Sequence, residues 1–331
     1  MPTQTTNYGL VKPGSNDYYD VGVPDGNMDI IDTELKKAQN HRESTGNPHG
    51  TNAADVGASN PNLLINGDFT VWQRGTSFTG ATFVYTADRF IGTNLNAAVN
   101  VSKLNANGGF KISGATSWAF FTQWVEDFSY LLGKEVTLST KIKQGTIGFQ
   151  IDSSDIIGKV SNPTDTSLIV QSKITLPSSA TKFGVCFGTT DAVNPTVEIE
   201  WIKLEIGSVP TSFSPRLYSE ELSDCRRYFQ RLNTNVVGYP YIGTVVGYGT
   251  QSASLIIPLP VRMRIPPTPT LKGVIWCGVD RPNITNVSAD QMADHAMKLG
   301  ISLDSALAAG IYDAEGHADS NADIWLDSEI Y

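Results

Sequence analysis

The chain has 331 residues and a formal net charge of −9. This length exceeds what one ordinary core needs and predicts two or three domains, while the acidic charge disfavours a nucleic-acid surface, which needs clustered Lys and Arg. No apolar run approaches the roughly 18 residues of a membrane span, and the N-terminus lacks the basic start and apolar core of a secretory signal. We therefore expect a soluble protein that is made in a cytoplasm and does not enter a membrane.

The cysteines predict no disulfide framework, because Cys186, Cys225 and Cys277 are odd in number and lack the spacing of a metal site. Cys186 lies in an apolar string, residues 183–187, and is expected to be a small buried side chain.

An extended arm and a helix are predicted at the N-terminus. Residues 1–24 are rich in Thr, Asn, Gly, Pro and Tyr and cannot bury a core by themselves. Asn27 is a plausible N-cap, and the apolar residues Met28, Ile31, Leu35 and Ala38 then follow one helical face. A single apolar stripe on a short helix needs a partner to cover it.

The segment after this helix contains two histidines, His41 and His49, with Pro and Gly between them. Two imidazoles can bind a metal ion. Histidines in loops are more often ordinary polar residues, so both interpretations stay open.

Residues 61–216 alternate short strands with turns. Residues 62–90 begin with the apolar run Leu63–Ile65 and a turn at Asn66 and Gly67. Phe69, Val71 and Gln73 then alternate with Thr70, Trp72 and Arg74. This is the period of a strand with one buried face and predicts the first strand of an antiparallel sheet. Further strands are predicted at residues 98–103, 110–113, 136–142, 146–151, 168–174, 181–187 and 197–206. Regular short strands without amphipathic helices are typical of a sandwich or jelly roll.

A second helix is predicted after Arg216, with Ser219 as its cap and Glu220 and Glu221 near its positive end. Its apolar residues follow the spacing of a short coiled-coil seam; they are Leu222, Cys225, Phe229 and Leu232. A trimer contact and packing on the chain's own sheet both fit this seam.

Residues 236–331 again predict strands. Residues 288–291 fit a helical capping box, and the structure of residues 288–295 stays open.

Several strings resemble the tail-fibre and receptor-binding proteins of bacteriophages and prophages. The strings NLLINGDFTVWQRGTSFTGATFVYTADRF and VEIEWIKLEIGSVPTSFSPR resemble the start and end of the family's jelly-roll module, which itself looks like carbohydrate-binding modules. YSEELSDCRRYFQ and LPVRMRIPPTPT resemble the following helix and strand pair. The resemblance also implies strands at residues 296–303 and 324–330. NYGLVKPGSNDYYDV resembles a tail-attachment segment, and NPHGT with AADVG resembles a short fibre collar.

The resemblance implies a mainly β homotrimer in three parts. Residues 1–60 would form the attachment arm, helix and collar, residues 61–216 the jelly roll, and residues 217–331 a helix and a β-sandwich tip. Attachment to tail or baseplate proteins would use Tyr8, Leu10, Tyr18 and Tyr19. Trimer contacts would come from both apolar stripes: Met28, Ile31, Leu35, Leu222, Cys225, Phe229 and Leu232.

Little in the sequence indicates catalysis. The obvious carboxylate pairs are Glu126 with Asp127 and Glu198 with Glu200. The second pair would share one face of a strand, as a solvated edge or as ligands of a hard cation such as Ca²⁺. No triad order and no glycine-rich phosphate loop is present, so we expect no enzyme and no obligatory cofactor.

Aromatic side chains outside the shared strings are the best candidates for glycan binding, because sugars stack on aromatic faces. The candidates are Tyr239, Tyr241, Tyr312, Asp313, Trp118 and Tyr130. Tyr239 and Tyr241 fit the interface of a trimer equally well, because interface cores favour tyrosine. For Trp72, Trp124 and Trp201 a core position is the stronger interpretation.

The resulting hypothesis is a virion tail fibre that adsorbs to a bacterial surface glycan. A glycan depolymerase on the same scaffold and a structural connector that carries other fibres are the alternatives.

Overall fold

Strands dominate the computed structural model of the protein, as the alternating sequence pattern predicts. The chain divides into two compact units, Met1–Ser59 and Asn60–Tyr331. The structure describes every residue except 1–2, 7, 13, 15–17, 19–21, 44–58, 81–82, 94–98, 116–118, 152–154, 163–168, 176–177, 180, 182, 190–195, 233–238, 279, 318–320 and 331.

The first unit contains a two-stranded ribbon and one long helix. Strands β1 (Thr3–Gln4) and β2 (Val11–Lys12) pair antiparallel, and helix α1 spans Gly22–Glu43. The predicted N-cap is wrong, because Asn27 lies inside α1. Its side chain instead accepts a hydrogen bond from the Val11 amide at 2.8 Å and donates one to the Val11 carbonyl at 2.9 Å. No helix in the described part of the chain is long and apolar enough to cross a membrane.

The second unit begins with a β-sandwich. Its strands are β3 (Ser77–Thr79), β4 (Ile91–Thr93), β5 (Asn100–Asn105), β6 (Gly108–Ser113), β7 (Phe120–Trp124), β8 (Glu135–Ile151), β9 (Asp155–Asn162), β10 (Ile169–Thr175), β11 (Gly184–Gly188) and β12 (Val197–Ile206). A 3-10 turn, Phe128–Leu131, precedes β8.

Strand β8 belongs to both layers of this sandwich. Its first half pairs with β10 and β12, and its second half pairs with β9 and β11. The predicted strands 136–142 and 146–151 are therefore one element. Gly145, at the change of partners, has a φ of +88°, which a residue with a Cβ rarely adopts.

Aromatic side chains fill the space between the two layers. The Phe110 ring on β6 lies 4.7 Å from that of Phe121 on β7 and 5.3 Å from that of Phe187 on β11, centroid to centroid. Both contacts are edge-to-face, the arrangement that aromatic pairs favour. The predicted β-sandwich is confirmed.

The predicted turn at Asn66 is confirmed, because Asn66 has a positive φ of 60°. The strand predicted at residues 69–74 is wrong: Phe69 also has a positive φ, of 54°, and these residues belong to no strand, although Phe69 and Val71 are buried as expected. The Asn66 side chain accepts a hydrogen bond from the Val71 amide and donates to the Val71 and Asp88 carbonyls. A side chain thus replaces the partner strand.

The second helix is shorter than predicted. Helix α2 spans Tyr218–Arg226, and its N-cap is Leu217, not Ser219. Glu220 and Glu221 do lie in its first turn. The predicted seam fails because Phe229 belongs to strand β13 (Phe229–Arg231), so its last two members are not helical.

The C-terminal part is a second sandwich with its own apolar core. Its further strands are β14 (Tyr241–Gly247), β15 (Thr250–Pro258), β16 (Thr268–Lys272), β17 (Ile275–Cys277), β18 (Ile284–Met292), β19 (Ala296–Leu307), β20 (Gly310–Gly316) and β21 (Asp323–Asp327). One sheet has the order β13-β21-β16 and the other β17-β20-β14-β15-β19-β18. Most of residues 288–295, whose structure the sequence left open, thus belong to β18. Residues 296–303 lie within β19, and most of residues 324–330 belong to β21, so both predicted strands are present.

Candidate functional site

A groove of about 430 Å³ opens on the C-terminal sandwich beside the β17–β20 pair. Its lining combines aromatic rings with both signs of charge: Trp276, Gly278, Arg281, Tyr312, Asp313 and Glu315.

Strand pairing brings the central groove residues together. Glu315 on β20 lies opposite Trp276 on β17 and opposite Tyr241 on β14. Ile275 and Cys277 are buried in the core, so the alternation of the strand turns Trp276 to the outer face. The outer face therefore carries a row in which a carboxylate stands between two aromatic residues.

An aromatic cluster continues this row beyond Trp276. The ring of Tyr239 stacks against Trp276 at 5.6 Å and 26°, and His317 meets Trp276 edge-on at 4.9 Å and 74°. The indole Nε1 is buried and finds no hydrogen-bond acceptor in the described part of the chain. Tyr239 and Tyr241 are each 57% exposed, so two rings stay accessible beside the groove.

The charged side chains that line the groove do not form ion pairs with one another in the described part of the chain. The Arg281 guanidinium carbon lies 4.5 Å from the centroid of Trp276, a cation–π contact. Among the described residues, neither Arg281 nor Asp313 nor Glu315 forms an ion pair. Below the surface, burial and then the charge of Asp304 raise the pKa of Cys277 to about 11. This thiol therefore stays protonated and supplies no nucleophile.

Four of the six predicted glycan-binding residues lie in or beside this groove. Tyr312 and Asp313 line it, Tyr241 lies opposite Glu315, and Tyr239 stacks on Trp276. Asp313 and Glu315 both lie on β20, which continues to Gly316 between β14 and β17.

The other two candidates lie elsewhere in the sequence. Tyr130 is 48% exposed on the 3-10 turn of the first sandwich, with the Lys134 ammonium 5.9 Å from its ring centroid. Trp118 lies outside the described residues.

Trp276, Arg281 and His317 were missed from the sequence. Trp276 sits between Ile275 and Cys277, which predicts a core strand, and only the pairing with Glu315 shows which face it occupies. Arg281 follows a turn and has a positive φ of 52°. No local sequence pattern indicated that Trp276, Arg281 or His317 belongs to the site.

A second groove, of about 270 Å³, lies within the first unit and is mainly apolar. It is lined by Tyr8, Leu10, Ile30, Ile31, Glu34, Leu35 and Ala38. Two predicted attachment residues, Tyr8 and Leu10, are thus part of it. Tyr18 is almost fully exposed, and Tyr19 lies outside the described residues.

The predicted trimer contacts divide into two groups. Met28, Ile31 and Leu35 are exposed on α1, as a contact between subunits requires. Cys225 and Phe229 are instead buried within the chain, and Leu232 packs on the second core. Leu222 is half-buried. Because the fold itself covers Cys225 and Phe229, the prediction of a trimer contact at these two residues is wrong, and the alternative of packing within the chain holds for them. The contact at the half-buried Leu222 and Leu232 stays a prediction.

The predicted metal site at His41 and His49 stays a prediction, because only one of the two histidines lies in the described part of the chain. His41 lies in the last turn of α1, and His49 is outside the described residues. Glu198 pairs with Lys111 at 2.9 Å and Glu200 with Lys141 at 2.7 Å, so lysines take the place of a cation there. In the described ranges no three His, Cys, Asp or Glu side chains form a metal-binding group.

Glu126 is engaged in a structural contact. It accepts hydrogen bonds from the Tyr228 hydroxyl at 2.6 Å and from the Arg227 guanidinium at 3.2 Å. Burial raises the pKa of Glu126, but these hydrogen bonds and the charge of Arg227 lower it below its ordinary value. A carboxylate held in its ionised form is unsuited to general-acid catalysis.

No protein-family model matches the sequence, and no curated protein matches it. Among solved structures, the chain is similar to the carbohydrate-binding module CsCBM6-3 of Clostridium stercorarium in complex with cellobiose, at 12% identity and a TM-score of 0.25, over 40% of this chain and 99% of that one. It is also similar to the CBM22-1 xylan-binding domain of Paenibacillus barcinonensis Xyn10C, at 12% identity and a TM-score of 0.28, over 46% and 97%.

The N-terminal CBM22-1-CBM22-2 tandem domain of the same Xyn10C is similar over 82% of this chain and 97% of that one, at 9% identity and a TM-score of 0.28. These low identities and TM-scores assign the chain to no family and to no ligand.

Proposed function

We propose that the protein is a non-enzymatic glycan-binding protein and serves as the receptor-binding part of a phage-type tail fibre. The observation that carries the glycan proposal is the outer-face row of Trp276, Glu315 and Tyr241 beside an open groove. Sugars combine apolar ring faces with hydroxyl groups, so an aromatic surface with adjacent carboxylates provides both stacking and hydrogen bonding.

The tail-fibre role rests on the resemblance of the strings described above and is supported by the first unit. There, α1 has no buried residue and exposes Met28, Ile31 and Leu35. We propose that this helix associates in a homotrimer through Met28, Ile31 and Leu35, and that Tyr8 and Leu10, between β1 and β2, contact tail or baseplate proteins. The protein would then reside in the virion tail.

Binding of the full-length protein to an array of bacterial surface glycans tests the glycan proposal. Trp276→Ala and Tyr241→Ala should each weaken binding on the order of tenfold or more, because aromatic anchors dominate such interfaces. Tyr248→Ala is the matched control, since Tyr248 is 53% exposed on the neighbouring turn but does not line the groove. Equal binding by all three variants would exclude the groove as the site.

Glycan cleavage is a second candidate, which the two carboxylates in the groove favour. Asp313 and Glu315 alternate with the core residue Ala314 on β20, so both point outward about 7 Å apart along the strand. Glycosidases place such groups on opposite sides of the scissile bond, whereas these two project from one strand, and we therefore favour binding. Release of reducing ends from a bound polysaccharide would reverse that preference.

A further inference from the structure

The groove already holds a cation over its aromatic floor, and this cation belongs to the chain itself. The Arg281 guanidinium lies 4.5 Å from the Trp276 centroid. Tyr239 and His317 flank the same indole. An indole bordered by further aromatic rings is a preferred environment for a positive charge.

The contact with Trp276 holds the Arg281 side chain only weakly. Its side chain is exposed, and in the described part of the chain it forms neither an ion pair nor a hydrogen bond beyond the contact with Trp276. An arginine side chain has high rotational freedom, so it can leave the ring without breaking another contact.

The remaining groove charges are negative. Asp313 and Glu315 line the same groove and form no ion pair among the described residues. When Arg281 turns away into solvent, the groove keeps an aromatic floor and two carboxylates. A positively charged ligand is then attracted by both, whereas an anionic ligand meets two like charges.

We propose that the groove selects glycans that carry a protonated amine. The ammonium group takes the position of the Arg281 guanidinium over Trp276, and Asp313 and Glu315 neutralise it. This inference rests on the proposed glycan-binding function and defines its ligand class as amino-substituted, not N-acetylated and not acidic.

Calorimetric titration of the full-length protein tests this inference with three soluble probes: a glucosamine hexamer with its amines protonated, the N-acetylglucosamine hexamer and an oligogalacturonate. The glucosamine hexamer should bind on the order of tenfold more tightly than the N-acetylated one, the size expected from one cation–π contact plus exposed ion pairs. The oligogalacturonate should bind most weakly.

Two variants separate charge from shape. The double variant D313N/E315Q should lose the preference for the amine while it keeps its binding of the N-acetylated hexamer. R281A should bind the glucosamine hexamer more tightly, because the internal cation no longer competes. D290N/D294N, which removes two exposed charges from the same sandwich away from the groove, is the matched control and should behave like the wild type.

Two results would overturn the inference in different ways. Equal or tighter binding of the N-acetylated hexamer by the wild type would refute the amine preference and leave the glycan-binding function intact. Binding of none of the probes, together with no glycan bound on the array, would remove the function and the inference together.

Discussion

At the residue scale, a buried cluster of charges joins the two sandwiches of the second unit. Arg89 is 1% exposed, forms an ion pair with Glu329, donates to the Trp124 carbonyl at 2.8 Å and lies 3.4 Å over the Tyr228 ring. Burial lowers the pKa of Arg89, but the charge of Glu329 raises it above its ordinary value. The guanidinium therefore stays charged in the interior.

Removing this cation should destabilise the second unit strongly. Among the described residues, Arg89→Met leaves the buried Glu329 carboxylate with only the more distant cation of Arg74, at 3.4 Å. We expect a loss of about 3–5 kcal/mol in the free energy of unfolding, the usual effect of breaking a buried pair, measured by urea denaturation. Arg262→Met is the control, because its pair with Asp294 is exposed and should matter by less than about 1 kcal/mol. Equal effects would mean that Glu329 finds another partner.

The Tyr228 hydroxyl gives this junction a pH dependence in the alkaline range. Burial, together with the hydrogen bond to Glu126, raises the pKa of Tyr228 from 10.0 to about 12, although Arg89 lowers it. Because the pKa of Tyr228 is higher in the folded state, its contribution to the free energy of unfolding is fully present below pH 10. This contribution is lost as the pH rises towards 12. Urea denaturation across this window should therefore show a smaller fall for Tyr228→Phe than for the wild type. Parallel curves would contradict the assignment.

At the element scale, the sequence predicted which residues are buried better than it predicted their backbone. Phe69 and Val71 are in the core, as their alternation indicated, but they lie in irregular backbone and not in a strand. Alternation reports only which side chains face inward, and Asn66 supplies hydrogen bonds that a strand partner would otherwise make. Phe229 was misassigned for a related reason, since helical spacing over one heptad also fits a helix followed by a strand.

The candidate site was predictable only in part. Tyr239, Tyr241 and Tyr312 stood out because they are aromatic residues outside the shared strings. Trp276 and Glu315 became neighbours through the pairing of β17 with β20, which joins segments about forty residues apart and which alternation cannot specify. Arg281 depended on the position of the Trp276 ring.

Because β8 changes its partner strands at Gly145, replacing this glycine by alanine should cost more stability than the same change at Gly133. Gly145 has a φ of +88°, and a Cβ there would collide with the Thr196 carbonyl oxygen. Gly133 has a φ of +71° with open space around it. Gly133→Ala should therefore cost about 1 kcal/mol from backbone strain alone, whereas Gly145→Ala should cost roughly 3 kcal/mol or more. Chemical denaturation of both variants measures this, and equal losses would show that β8 can shift at Gly145.

At the scale of the whole molecule, the two units differ in what stabilises them. Both hydrophobic cores lie in the second unit. The first unit has a 22-residue helix without a buried residue, and an isolated helix of this kind gains most of its stability from packing on another surface. The apolar side of α1 is therefore expected to be covered by other chains, and we propose two further copies.

Deleting residues 1–59 should then separate folding and binding from assembly. Residues 60–331 should keep the melting temperature of the second unit and the affinity of the groove, because no residue of either is removed. Sedimentation equilibrium should show a trimer for the full chain and a monomer for the truncated one. In the full chain, M28Q/I31Q/L35Q should also give a monomer, while D29N/T33Q/K36Q, which changes polar positions of the same helix, should remain a trimer. A truncated protein that still forms trimers would place the contact between subunits in residues 60–331, and α1 would then need a different partner.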